Sequence, residues 1–140
     1  MAWFLDTVFV SELRKNQKAD ALVLVWQKTI TGQPQWLSVT SLNEIRFGIL
    51  KAERLDPAFA ARLDFWYNNI LLPGFRHFLI PVDRAIAEKA AELRYKQGLS
   101  YNDALIAATA LVHGLTLVTR NEADFVGTGV TVVNPWKATA

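Results

Sequence analysis

Five short apolar segments alternate with longer helical segments along this chain, and that alternation is the strongest constraint on its fold. The apolar segments are MAWFL (1–5), QPQWLSV (33–39), HFLIPV (77–82), LTLVT (115–119) and VTVV (130–133). Strands that are separated by helices pair in parallel, because each connection must cross back over the sheet. The pattern therefore predicts an α/β fold with a short-stranded, mainly parallel central sheet between two layers of helices, a three-layer α/β/α arrangement.

Helical segments fill the stretches between those strands, and some carry their own start and stop signals. Asp83 can cap a helix that Gly98 ends, and Gly32 can stop an earlier one. The predicted helices pass through Ser11 and Leu13 and then cover 19–30, 41–55, 57–66, 83–98 and 100–114. A chain of 140 residues that is 51% hydrophobic, with five Trp and eight Phe, can build one substantial core. We therefore expect a single domain over residues 1–140.

Composition and charge exclude several classes of protein. The chain has no Cys, so a disulfide scaffold and a thiolate metal site are excluded and a cytoplasmic location is expected. The start MAWFLDTVFV lacks a basic leader and is interrupted by Asp6, which argues against a signal peptide. No uncharged stretch has the length of a membrane span. The net charge of +2 is compatible with a nucleic-acid partner.

Four acids follow strands of the predicted sheet or begin the next helix. They are Asp6, Glu44, Asp103 and Asp124. Singly, each has a structural explanation. Asp6 can cap the following helix, and the pairs Ser41–Glu44 and Ser100–Asp103 match the S-x-x-[DE] capping pattern. The last acid lies in a loop, where it can simply be solvated.

The four acids together indicate more than capping, because the carboxyl ends of parallel strands meet at one edge of a sheet. Two carboxylates about 5 Å apart repel by roughly 3 kcal/mol at an effective dielectric near 20. A helix N-terminus offsets only about 0.3–1 kcal/mol per acid. A divalent cation would offset the rest, and oxygen ligands without Cys or nearby His suit Mg²⁺ or Mn²⁺. Such a site is suited to phosphoryl chemistry.

Four segments resemble a known family. They are FLDTVFVSEL, SVTSLNEIRFGI, NDALIAATALVHGLTLVTRNEADF and VTVVNP, and together they span almost the whole chain. In order and spacing they resemble a PIN domain of the VapC type, the toxin of a type II toxin–antitoxin pair. The resemblance implies a Mg²⁺- or Mn²⁺-dependent endoribonuclease that cleaves RNA, is inhibited by a cognate antitoxin and forms a homodimer.

The resemblance also implies site residues. By position, Asp6, Glu44 and Asp103 match the first three acids of the family. Many PIN domains carry the last acid two residues after the Thr that ends the fourth strand, and Asn121 occupies that position here. Asp124 is then the replacement, with Thr119 and Asn121 as polar support. The chain also departs from the family in having Val8 where an Asn often holds the loop of the first acid.

Two basic residues lie near the proposed acids, and two other functions are compatible with parts of the pattern. Arg46 and Arg120 flank the proposed acids and are candidate contacts for RNA phosphates, although each could be a solvated surface charge. A catalytically silent PIN fold that only binds partners is one alternative function. Another Mg²⁺-dependent phosphohydrolase, such as a haloacid-dehalogenase-like phosphatase, is the other. That class needs a D-x-D pair on its first strand, whereas this chain has DTV from Asp6.

Overall fold

The structure is a computed structural model, and it describes residues 1–138. The strands within that range are β1 (Trp3–Leu5), β2 (Gln35–Ser38), β3 (Leu79–Ile80), β4 (Thr116–Val118) and β5 (Val132–Val133). They form one sheet in the order β3-β2-β1-β4-β5, and every neighbouring pair is parallel. The central strand β1 therefore ends between the ends of β2 and β4.

Helices connect β1 to β2, β2 to β3 and β3 to β4. They are α1 (Thr7–Leu13), α2 (Ala21–Thr29), α3 (Val39–Leu55), α4 (Pro57–Trp66), α5 (Leu72–Gly74), α6 (Arg84–Gln97) and α7 (Tyr101–His113). A wide turn over Tyr67–Leu71 joins α4 to α5, and single 3₁₀ turns cover Asn16–Lys18 and Glu122–Phe125. In the described part of the chain, none of these helices combines the length and the apolar character that a membrane span requires.

Both faces of the sheet are covered, and the alternation of side chains along β1 shows how. Phe4 and Leu5 are neighbours in sequence, fully buried, and face opposite sides of the sheet. Phe4 packs in a cluster with Ile86 of α6 and Ala107 of α7. Leu5 packs in a second cluster with Phe9 of α1 and residues of α3 and α4. The predicted three-layer α/β/α fold is thus confirmed.

The two edge strands are shorter than the sequence predicts. Only Leu79 and Ile80 of the predicted 77–82 segment form β3. His77 lies in the preceding turn, where the Phe78 N–H donates to the Phe75 carbonyl at 2.9 Å. Pro81 then has no N–H with which to extend the ladder. An edge strand pairs on one side only, so local turns compete with it more effectively than with a central strand.

Helix α3 begins two residues earlier than predicted, and this changes the role of Glu44. Ser38 is its N-cap, because the Ser38 hydroxyl accepts the Thr40 N–H at 2.9 Å. Ser41 is buried in the first turn of the helix, and Glu44 falls in the second turn. The predicted Ser41–Glu44 capping pair is therefore wrong. In the other predicted pair, Ser100–Asp103, the Ser100 hydroxyl does accept a hydrogen bond from the Asp103 N–H at 3.3 Å.

Candidate functional site

Asp6 lies directly after the central strand and is held at both carboxylate oxygens. The Asp6 N–H donates to the Val118 carbonyl at 3.0 Å, which ends the ladder between β1 and β4. Its Oδ1 then accepts the Thr7 N–H at 2.8 Å, capping α1. Its Oδ2 accepts the hydroxyl of the fully buried Thr119 at 2.6 Å. The carboxylate, in a residue only 9% exposed, is thus fixed in place.

Glu44 reaches the same region from α3 through a chain of hydroxyl groups. The Thr7 Oγ1 lies 2.8 Å from the Ser41 Oγ and 3.1 Å from the Glu44 Oε1. A hydroxyl carries one hydrogen and a carboxylate can only accept, so the donors are best assigned from Ser41 to Thr7 and from Thr7 to Glu44. Thr7 therefore links the loop of Asp6, through its N–H, to the carboxylate of Glu44, through its hydroxyl.

Asp103 and Asp124 approach from the other side of β1. Asp103 is partly buried in the first turn of α7, where a carboxylate is favoured by the helix dipole. Asp124 is exposed on the 3₁₀ turn after β4, and its N–H donates to the Asn121 carbonyl at 3.1 Å. One acid is thus carried by a helix and the other by a loop.

The charges of these acids act on one another. Burial raises the pKa of Asp6, and the nearby charges of Asp103 and Asp124 raise it further, against the lowering by the Thr119 and Thr7 hydrogen bonds. Burial also raises the pKa of Glu44, with added repulsion from Asp6 and Asp103. The pKa of Asp103 is raised by burial and by the charge of Asp124. The structure thus brings the four acids to one edge of the sheet.

The acids are nevertheless spaced apart. Across residues 1–138, no three acidic or histidine side chains lie close enough together to form a ready-made ion site. Electrostatic coupling acts over longer distances than metal coordination, so the two observations together describe an open site. Its donors are all carboxylate, hydroxyl and amide oxygens, which suit Mg²⁺ or Mn²⁺. Asp6 is held at both carboxylate oxygens, whereas Glu44 and Asp103 are partly buried.

The two polar residues predicted to support the site differ in how they are used. The Thr119 hydroxyl donates to Asp6 and accepts the Asn121 N–H at 3.1 Å. Thr119 therefore fixes both the acid and the start of the following loop. Asn121 takes part in this contact through its backbone, and its side chain is exposed.

The two arginines predicted to contact RNA also differ. Arg46 is engaged within the fold, because its Nη1 lies 2.7 Å from the Asp64 Oδ1 on α4 and its guanidinium lies 5.9 Å from the Tyr67 ring. Arg120 is exposed, with its guanidinium 5.6 Å from the centre of the Trp136 ring. Arg120 is therefore the better placed of the two to meet a ligand.

Thr7 and Ser41 were not predicted as members of the site. Thr7 follows Asp6 directly and Ser41 precedes Glu44 by three residues, so both lie close in sequence to proposed acids. Their contact depends on the packing of α1 against α3, which joins positions 34 residues apart. The sequence offers the residue types, but only the fold shows that they touch.

Comparison with known proteins agrees with this architecture. A sequence model of the PIN domain matches residues 3–128. The chain belongs to the PIN domain family. The matched range includes all four acids together with Thr7, Ser41 and Thr119, whereas Trp136 lies beyond it. A haloacid-dehalogenase-like fold is thereby excluded.

Relatives of this PIN domain match it along almost its whole length. VapC ribonuclease Y4jK of Sinorhizobium fredii is 31% identical over 140 residues, covering 95% of this chain and 96% of that protein. Toxin FitB of Neisseria gonorrhoeae is 30% identical over 137 residues, covering 94% of this chain and 96% of FitB. The structure of FitAB bound to the IR36 DNA fragment superposes with a TM-score of 0.85 at 27% identity, covering 98% of this chain and 97% of that one.

Proposed function

We propose that this PIN domain is a Mg²⁺- or Mn²⁺-dependent endoribonuclease and the toxin of a type II toxin–antitoxin pair. The observation that carries the proposal is Asp6, a buried carboxylate fixed at both oxygens at the sheet edge where three further acids act on it or on one another. Relatives named as a VapC ribonuclease and as a toxin, each matched along more than nine-tenths of its length, support the same activity.

In this proposal, Asp6, Glu44, Asp103 and Asp124 hold the metal. A bound divalent ion would activate water and neutralise charge on the phosphodiester during hydrolysis. The chain's own contribution is to position its ligands. The Thr7 N–H and the Thr119 hydroxyl prevent Asp6 from rotating away, and the Thr7 hydroxyl orients Glu44. Such outer contacts set the direction of a metal ligand and its basicity.

We assign the fourth acid to Asp124 rather than to the position of Asn121. The charge of Asp124 raises the pKa of both Asp6 and Asp103, so its carboxylate acts directly on two proposed ligands. The Asn121 side chain would offer only a neutral carbonyl oxygen. A carboxylate compensates a divalent charge better, and Asp124 is exposed on the 3₁₀ turn after β4.

We further propose RNA as the substrate, a cognate antitoxin and a second copy of the chain as partners, and the cytoplasm as the location. Several large apolar side chains on the outer side of α3 and α4 support protein partners. They are Phe47, Leu50, Leu55 and Phe65, which are 49–84% exposed. Exposed apolar surface of this kind is characteristic of association sites. The solved assembly FitAB also supports a bound partner protein.

Cleavage of RNA by the purified chain, free of any antitoxin, tests this proposal. We expect cleavage with Mg²⁺ or Mn²⁺ and none in EDTA, with activity returning when Mn²⁺ is restored. Asp103→Asn, purified in the same way, controls for contaminating nucleases and should be inactive. Site-specific cleavage that is undiminished in EDTA would exclude the mechanism.

A catalytically silent PIN fold that only binds partners is the second candidate. It is favoured by the absence, across residues 1–138, of three acids close enough to share an ion as they stand. Calorimetric titration with Mn²⁺ separates the two candidates. Binding that is lost in Asp6→Asn supports the nuclease, whereas no Mn²⁺ binding and no cleavage of any RNA supports the silent fold.

A further inference from the structure

The C-terminal segment Asn134–Lys137 is tied to the loop that follows β4. The Asn134 Nδ2 donates to the Arg120 carbonyl at 3.4 Å and to the Glu122 Oε2 at 3.3 Å. The Asn134 Oδ1 accepts the Trp136 N–H at 2.9 Å, and Lys137 forms an ion pair with Glu122. We call this segment the C-terminal clasp. Its bonds fix the position of Trp136 relative to the loop.

The Trp136 ring also packs against the core. It is half-buried, and its ring meets Phe9 of α1 edge-on at a centroid distance of 6.1 Å. Phe9 is fully buried and in turn meets Trp26 of α2 edge-on at 5.7 Å. The indole therefore rests on the core, and the guanidinium of Arg120 lies over it at 5.6 Å.

Among residues 1–138, no acid neutralises the positive charge of Arg120. Within the described residues, Arg120 forms no ion pair with an acid. Its charge does help to lower the pKa of Glu12, after the larger effects of the Asp20 N–H and Lys15. The two oxygens of Glu12 already accept from Lys15 at 3.0 Å and from the Asp20 N–H at 2.8 Å. The exposed guanidinium is therefore positioned by an aromatic ring and available to an anion.

Arg120 is also adjacent in sequence to a residue that supports the proposed site. It follows Thr119, whose hydroxyl holds Asp6. Its guanidinium, however, lies over the Trp136 ring and, among residues 1–138, pairs with none of the acids. An anion bound there would lie beside the proposed metal site rather than in it.

We propose that Trp136 is a positioning residue that holds Arg120 as a contact for an RNA backbone phosphate next to the scissile one. This inference rests on the proposed ribonuclease function and adds a substrate contact to it. A guanidinium suits the task because its planar fork can bond two phosphate oxygens while it stacks on an aromatic face. Stacking on Trp136 restricts its rotation before the RNA arrives, so less order is lost on binding.

Steady-state cleavage of a short single-stranded RNA with Mn²⁺ tests the proposal. We expect Arg120→Ala to raise KM about tenfold with kcat nearly unchanged, the loss of a charged hydrogen bond. Trp136→Leu keeps an apolar contact with Phe9 but removes the flat ring, and should raise KM about two- to fivefold. Arg62→Ala is the matched control, because Arg62 also lies over an aromatic ring, 5.5 Å from the centre of Phe59, but on α4. Thermal melts first establish that each variant is folded.

Two further readouts separate positioning from a general loss of structure. The double variant Arg120→Ala/Trp136→Leu should have the KM of Arg120→Ala alone, because Trp136 acts through Arg120. The dependence of log KM on log salt should become shallower by about 0.7 in Arg120→Ala and stay unchanged in Arg62→Ala. Unchanged KM in both Arg120→Ala and Trp136→Leu, or KM effects that simply add, would overturn the proposal.

The inference can fail independently of the proposed function. If the wild-type chain cleaves RNA with Mn²⁺ and Arg120→Ala has the same KM and salt slope, only the inference is wrong. If no RNA is cleaved, fluorescence anisotropy with labelled single-stranded RNA still measures the contact. Weaker binding in Arg120→Ala than in Arg62→Ala would then uphold it, and equal binding would refute it.

Discussion

Asp6 and Asp124 are both acids of one sheet edge, yet the fold holds them in opposite ways. Asp6 is only 9% exposed, ends the central strand and has both oxygens bonded to the fold. Asp124 is exposed on a single turn, and among residues 1–138 no hydrogen bond or ion pair holds its carboxylate. The two acids therefore differ in support, because the fold fixes the carboxylate of Asp6 and leaves that of Asp124 exposed.

This difference between Asp6 and Asp124 has a physical cause. A carboxylate at the end of a central strand is surrounded by neighbouring strands, so it must be buried, and burial raises its pKa. Hydrogen bonds from Thr7 and Thr119 offset part of that cost. An acid on a surface turn bears little of that cost and gains no such support. We therefore expect substitutions at the two acids to differ in their effects on activity and stability.

The largest effect should come from Asp6→Asn. We expect cleavage to fall more than about 100-fold, beyond the range seen for outer contacts of metal sites. The melting temperature without metal should stay the same or rise, because an unfavourably buried charge is removed. Asp56→Asn is the matched control, since Asp56 also caps a helix, α4, but lies outside the site. A sharp fall in melting temperature with surviving activity would show that Asp6 is a structural cap.

Thr119→Val should reduce cleavage by about 10–100-fold, because it removes the donor to Asp6 while keeping the shape of the side chain. Thr109→Val is the matched control. Thr109 is also fully buried and its hydroxyl donates to the Leu105 carbonyl at 2.7 Å, within α7 and away from the acids. We expect it to change stability but not the cleavage rate. Equal activity losses in the two variants would mean that Thr119 acts through the core alone.

Asp124→Ala should reduce cleavage less than Asp6→Asn does, by about tenfold, and should raise the Mn²⁺ concentration needed for half-maximal rate. Asn121→Ala should have a smaller effect, because the backbone of Asn121, rather than its side chain, bonds to Thr119. Asn121→Asp should restore part of the rate of Asp124→Ala if both side chains can reach the ion. Cleavage rates measured across Mn²⁺ concentrations compare the three. Greater damage from Asn121→Ala would mean that Asp124 is a surface acid.

The smallest effect concerns pH in the metal-free protein. The pKa of Asp6 is raised in the folded state above its ordinary value of 3.8. The folded protein therefore holds this proton more tightly than the unfolded chain does, and its stability is lost as pH rises from that value through the raised pKa. In EDTA, the melting temperature should fall across this interval more in the wild type than in Asp6→Asn. Parallel curves for the two proteins would contradict the burial cost.

The sequence predicts the central part of this architecture better than its edges or its contacts. The parallel pairing of β1 with β2 and β4 follows from the alternation of strands and helices, whereas the order of the strands in the sheet does not. The misassigned start of α3 shows the limit, since Ser38 and Ser41 are both good caps and only the end of β2 decides between them. The link from Thr7 to Glu44 depends on helix packing, which no local pattern encodes.

The central claim is that four separated acids close around one kind of ion, and a structure with bound Mn²⁺ tests it most directly. We predict an anomalous peak in contact with the Asp6 carboxylate, with Asp103 and Asp124 rotated towards it and the Asp6 hydrogen bonds to Thr7 and Thr119 unchanged. A peak bound only at a remote surface acid, or no peak at a Mn²⁺ concentration that supports full cleavage, would contradict the account.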